Sequence, residues 1–184
     1  MEGHSHIINS AQFSPNGQQI VSACYDSTIG IWDLQTGKRV HELKGHFNNV
    51  VEAKFSPCNS FVLSCSWDRS ARIWDVVSGM QVKKLAGHFN HVNNVQFFPD
   101  GQTIVSCSDD KTIRLWDMHF GLEIQKLEGH SDHVKGMVQS DCGGYFESST
   151  KYIQKKKHFD FVIKDIAIAS KFCVFMSGLF KIAF

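Results

Sequence analysis

An all-β fold of repeated four-stranded antiparallel blades follows from two features of this sequence. The first is a strict 42-residue period: Gly-His pairs stand at Gly3-His4, Gly45-His46, Gly87-His88 and Gly129-His130. The Trp-Asp pairs Trp32-Asp33, Trp74-Asp75 and Trp116-Asp117 keep the same spacing, as do the prolines Pro15, Pro57 and Pro99, the turn aspartates Asp26, Asp68 and Asp110, and the glycines Gly37, Gly79 and Gly121. The second is an apolar alternation of period two, cut by turn residues every eight to twelve positions, which marks short antiparallel strands.

The third unit shows the elements in order. Val92, Val95 and Phe97 form a first strand that leads into Phe-Pro-Asp-Gly at 98–101, a turn in which Pro presets φ and Gly accepts positive φ. A second strand runs from Thr103 to Ser108, Asp109-Asp110-Lys111 turns tightly, Thr112 to Asp117 is a third strand rich in β-branched and aromatic residues, and Glu123 to Leu127 is the fourth. Four strands in 42 residues make one propeller blade.

These residues resemble the WD-repeat β-propeller family. Its pattern is met by Phe55-Ser56-Pro57, by Val105-Ser106-Cys107-Ser108-Asp109-Asp110 and by Thr112 to Asp117. The likeness covers residues 3 to 144, as blades 3–44, 45–86 and 87–128 and a partial fourth, 129–144. It implies that a His, a strand Ser, the turn Asp and the Trp of each unit form a buried hydrogen-bonded chain, stable only if every member is satisfied. The sets are His4, Ser22, Asp26 and Trp32; His46, Ser64, Asp68 and Trp74; and His88, Ser106, Asp110 and Trp116, with Ser66 and Ser108 as alternative serines and Cys24 at that place in the first unit. These are structural residues, not catalytic ones.

The fourth unit keeps Gly129-His130, Val134 and Met137, but Gln139 stands where Phe97 stood, and Tyr152 and His158 take the places of the turn Asp and the Trp. From 145 to 184 the chain reads as a non-repeat tail holding 7 of the 15 Phe together with Lys155-Lys156-Lys157. Two readings compete for it: a segment that lies on a membrane surface, or sequence with no selected fold. Closed propellers have about four to eight blades, so three and a half repeats are expected to form an open or incomplete propeller. Its unpaired edges would invite self-association or belong to a longer protein.

Charge divides the chain the same way: residues 1–150 carry 12 Lys/Arg against 16 Asp/Glu, and 151–184 carry 7 Lys against 2 Asp. The overall net charge of +1 argues against holding nucleic acid by bulk charge. Cysteines at 24, 58, 65, 107, 142 and 173 show neither Cys-x-x-Cys nor zinc spacing, so a disulfide framework is not expected. The N-terminus lacks a secretory pattern and no apolar run is long enough to span a membrane. An intracellular protein, cytoplasmic or nuclear, is expected.

No nucleophile elbow, phosphate loop or metalloprotease motif is found, so no enzyme and no cofactor are expected. The pairs His4/His6, His88/His91 and His130/His133 each contain one repeat landmark, which argues against a metal site. Recognition of a protein or peptide remains. The resemblance places partner-binding side chains near the start of each first strand and just before each turn Asp: Ile7 and Asn9, Asn49 and Val51, His91 and Asn93, His133 and Lys135, with Tyr25, Trp67 and Asp109. Trp67 is the foremost candidate, because an aromatic at a turn buries much area at low entropic cost; the alternative is that it merely covers its own blade.

Overall fold

The computed structural model describes residues 3–139 and 146–148; apart from 146–148, the tail and with it both of its readings lie outside these. Three four-stranded antiparallel sheets follow one another along the chain. The first blade is β1 (Ile8–Phe13), β2 (Gln19–Cys24), β3 (Thr28–Asp33) and β4 (Arg39–Lys44). The second is β5 (Val50–Phe55), β6 (Phe61–Ser66), β7 (Ser70–Asp75) and β8 (Gln81–Ala86), and the third is β9 (Val92–Phe97), β10 (Thr103–Ser108), β11 (Ile113–Asp117) and β12 (Glu123–Leu127). Within each sheet the strands lie in chain order, and among the described residues no pairing closes the sheets into a ring.

The repeated landmarks are the residues that shape the turns. Each turn Asp accepts the N–H two residues on, from Thr28, Ser70 or Thr112, at 3.0 Å. This Asx turn lets Ser27, Arg69 and Lys111 adopt φ of 68°, 68° and 69°, a conformation costly for residues with a Cβ. The Asp of each Trp-Asp pair accepts the N–H of Thr36, Ser78 or Phe120 at 2.7 Å, and the glycine that follows, such as Gly37 at φ 67°, completes the turn.

The core lies between blades. Val21, Ile29, Ile31 and Leu43 of the first blade meet Val50, Ala53, Phe55, Val62 and Trp74 of the second. Leu63, Ala71, Ile73 and Leu85 meet Val92, Val95, Phe97, Ile104 and Trp116 in the same way. Cys65 is a fully buried small residue of the second layer and Cys107 of a further cluster with Phe98, Val105, Ile113, Leu115 and Val134, and burial pushes the Cys107 thiol up to about 12. The first blade differs on its other face, where Ile8 and Phe13 are 52% and 64% exposed, although their counterparts Val50 and Phe55 are 0% and 6%.

Every first strand carries a bulge. Pairing passes from Ile8 to Ser10, from Val50 to Glu52 and from Val92 to Asn94, so Asn9, Val51 and Asn93 stand out of register. A short hairpin, β13 (Met137–Gln139) with β14 (Phe146–Ser148), crosses the boundary expected at residue 144. Its pairs Met137↔Ser148 and Gln139↔Phe146 repeat Val95↔Ser106 and Phe97↔Ile104 at the 42-residue offset. Backbone pairing needs no particular side chain, so it outlasts the sequence landmarks.

Candidate functional site

The loops joining second to third strands and those carrying the Gly-His pairs meet at one end of the blades, held together by the His, Ser, Asp and Trp chains. In the second blade Trp74 Nε1–H donates to Ser64 Oγ at 2.9 Å, Ser64 lies 2.8 Å from His46 Nε2, and His46 Nδ1 lies 2.8 Å from Asp68. One proton arrangement satisfies every member: Ser64 donates to Nε2 and Nδ1–H donates to the carboxylate. The first blade repeats this through Trp32, Ser22, His4 and Asp26 at 2.7, 2.7 and 3.1 Å, and the third through Trp116, Ser106, His88 and Asp110 at 2.8, 2.7 and 2.8 Å.

The second serine has a different task. Ser66 and Ser108 donate to the carbonyls of Asn48 and Asn90 at 2.9 and 3.1 Å and accept the N–H of Asp68 and Asp110. Cys24 does the same with the His6 carbonyl and the Asp26 N–H, at 3.3 and 3.4 Å.

Burial and hydrogen bonding set the protonation. Burial pushes the His46 and His88 imidazoles down, more than their aspartates raise them, so both are neutral at pH 7. Burial pushes the Asp68 carboxyl up, but His46, Ser70 and the Phe47 N–H outweigh it and hold it well below the usual carboxylate range. The same balance, with Thr112 and His88 as donors, brings Asp110 down to about 2.

Above these chains the expected recognition residues fall into two groups. Tyr25, Trp67, His91, Asn93, Asp109, His133 and Lys135 come together. Tyr25 meets Trp67 edge to face with centroids 5.7 Å apart, and Trp67 stacks on His91 at 4.9 Å. His91 Nδ1 lies 3.6 Å from the Asp109 carboxylate, which also takes bonds from Asn93 and Lys135 at 2.7 Å, while its carbonyl is 2.6 Å from His133 Nδ1. Burial pushes the Asp109 carboxyl up, but Lys135 and Asn93 hold it below its ordinary value. Residues contributed by four successive repeats thus form one row.

Ile7, Asn9, Asn49 and Val51 stand apart from that row. The Ile7 and Asn49 carbonyls accept the N–H of Tyr25 and Trp67 at 2.9 and 3.1 Å. Asn9 donates to the Val50 carbonyl at 2.7 Å and so ties first blade to second, and Val51 packs against the layer between the second and third blades. Three participants escape a reading of the sequence. His6 extends the row by stacking on Tyr25 at 5.6 Å, and Phe47 and Phe89 project from the same end, 85% and 76% exposed. Their signal was present, since both directly follow a Gly-His pair.

His4 Nδ1, Cys24 Sγ and an Asp26 oxygen lie within 4.8 Å of one another, a donor set of the kind that holds a metal ion. His4 and Asp26 are bonded to each other and to Thr28, as in the other blades, where a serine replaces the thiol. Among the described residues no helix is long and apolar enough to cross a membrane.

Sheets that stack face to face, each tied by one such buried chain, define a β-propeller repeat protein. The sequence pattern of the WD40 family (WD domain, G-beta repeat) matches residues 1–33, 37–75 and 79–117, more than half of the chain, which belongs to that family. The family is generally one of non-enzymatic scaffolds. Short stretches of this chain are similar to stretches of curated proteins. These include Ribosome assembly protein 4 of Saccharomyces cerevisiae, 47% identical over 38 residues, and U3 small nucleolar RNA-associated protein 21 of the same yeast, 60% over 35. Small ribosomal subunit protein RACK1 of Candida albicans is 43% identical over 37 residues. The matched stretches are 21%, 19% and 20% of this chain and only 7%, 4% and 12% of those proteins.

Proposed function

We propose that this chain is a non-enzymatic interaction scaffold that presents the loop end of its blades to a protein or peptide partner inside the cell, in the cytoplasm or nucleus. The observation that carries this reading is the continuous row His6, Tyr25, Trp67 and His91, ring against ring across three blades. A rigid row of amphipathic rings buries much area on contact with little loss of side-chain freedom, which is how binding energy concentrates in a few residues. The test is proximity capture in cells with the intact chain, with Trp67→Ala plus Tyr25→Ala, and with Leu122→Ala at the opposite end of the third blade. Loss of the captured partners with the Trp67 and Tyr25 changes alone supports the reading. Loss only with Leu122→Ala overturns it.

A second reading is assembly with another propeller through the bare face of the first blade, motivated by the exposure of Ile8 and Phe13 where their counterparts are buried. Light scattering over a dilution series distinguishes it: a mass that stays at one chain at every concentration removes it.

A further inference from the structure

Two residues at the loop end vary together along the repeat. After the Gly-His pair the four units have Ser5, Phe47, Phe89 and Ser131; after the turn Asp the first three have Ser27, Arg69 and Lys111. An aromatic ring and a cation therefore coincide in the second and third blades and are both missing from the first. The backbone ties their loops together. The Phe47 N–H donates to Asp68 at 3.2 Å and the Phe89 N–H to Asp110 at 3.0 Å, which joins the backbone of each aromatic residue to the turn that carries Arg69 or Lys111.

Each ring has one occupied face. The Arg72 guanidinium lies 5.5 Å from the Phe47 centroid and that of Arg114 5.7 Å from Phe89. Both guanidinium groups are buried and already paired, Arg72 with Asp68 and Gln81, Arg114 with Glu123. The cation already held on one face repels a second cation on the other, so the open face is left to an apolar neighbour, and any acidic group is drawn by Arg69 and Lys111 instead. Arg69 and Lys111 are exposed and enter no ion pair among the described residues; the Lys111 ammonium donates to the Ser131 carbonyl at 2.9 Å. The turn carboxylates cannot balance them, because Asp68 and Asp110 are bound to His46 and His88, and Asp109 is bound to Lys135. Asp132 is the exposed acid beyond Lys111, and it accepts the His133 N–H.

We propose that Phe47, Arg69, Phe89 and Lys111 form a docking strip of two equivalent subsites for an acidic segment of a partner protein that carries both apolar and carboxylate side chains. This rests on the loop end being the binding surface, but it uses residues outside the ring row. Single-stranded nucleic acid also pairs stacking with phosphate contacts. It fits less well here, because a strand carries a phosphate at every nucleotide while the strip offers two cations, Arg69 and Lys111, which two carboxylates of a peptide can match.

The test is fluorescence anisotropy on the intact chain with three labelled probes: a short peptide of Glu and Phe, the same peptide with Lys for Glu, and an oligouridylate. The Glu/Phe peptide is expected to bind, to weaken roughly tenfold or more with Phe47→Ala plus Phe89→Ala, and to weaken as much with Arg69→Glu plus Lys111→Glu. An unchanged thermal midpoint in these variants shows that the fold survives, as the exposure of both rings implies. The proposal is overturned if the Glu/Phe peptide does not bind, if the four substitutions leave its binding unchanged, or if the Lys peptide or the oligouridylate binds as tightly. Failure of the strip is distinguishable from failure of the scaffold reading, because the latter is judged by captured partners and by Trp67 and Tyr25.

Discussion

The rings of Trp67 and His91 lie face to face, with centroids 4.9 Å apart and planes 12° from parallel, and they join the second blade to the third at the loop end. Stacked pairs of this kind contribute about 0.5–1.5 kcal/mol beyond area burial. A double-mutant cycle of Trp67→Ala and His91→Ala, read by urea unfolding, is expected to return a coupling of about that size. Additive effects would mean that the rings are neighbours without interaction.

Ser64 is expected to matter more than Ser66. Ser64→Ala leaves both His46 Nε2 and Trp74 Nε1 without their bonds in a fully buried place, each loss costing about 1–3 kcal/mol. Ser66→Cys, in contrast, recreates the arrangement found at Cys24 and is expected to cost less than about 1 kcal/mol. Thermal midpoints of the two variants compared with the parent chain decide the order.

Acid is expected to destabilise the chain in two stages of the same sign. His46 and His88 have lowered values in the folded state, so the unfolded chain binds more protons and stability starts to fall as pH drops below the ordinary histidine value near 6.5. Asp68 and Asp110 are lowered too, so their contribution is present above the ordinary carboxylate value of 3.8 and is lost as pH falls through that value towards about 2 for Asp110. Melting curves between pH 8 and pH 3 should show a midpoint that is level above about pH 7 and declines with acid below it. A midpoint that rises between pH 7 and pH 5 would refute the neutral buried histidines.

Gly30→Arg, which makes the first unit read like the others at Arg72 and Arg114, is expected to destabilise. A Cβ at Gly30 would stand 2.5 Å from Trp32 Nε1 and 2.9 Å from Ser22 Oγ, so the buried chain of the first blade would have to shift. Chemical denaturation of this variant should show a loss of about 1–3 kcal/mol; equal or greater stability would show that Trp32 moves aside freely.

Most of the fold was legible because each landmark acts within its own unit. Asp110 closes its turn on Thr112, two residues away, and four-stranded blades follow from alternation and turns alone. The third strand of the third blade begins at Ile113, one residue later than Thr112, a difference of fraying. The candidate site was legible in part: Tyr25, Trp67 and Asp109 lie in the row, but Asn9 and Val51 do not. The bulges at these two positions turn the side chains into contacts between blades, and no residue type announces a bulge of this kind.

By itself the sequence determined the 42-residue blade, the order of its strands, the buried chain of His, Ser, Asp and Trp, and membership of the WD40 family. All of these depend on short separations or on identical positions in successive units. Only the tertiary structure decided which serine joins each chain, that Trp67 stacks on His91, and that Phe47 and Phe89 stand exposed on loops tied to the turns of Arg69 and Lys111. The Trp67–His91 stack depends on how one blade sits against the next, which is set by the packing of Leu63, Ile73 and Leu85 on Val92, Val95 and Trp116, and the other two on the path of loops within a blade, rather than on any spacing of residue types.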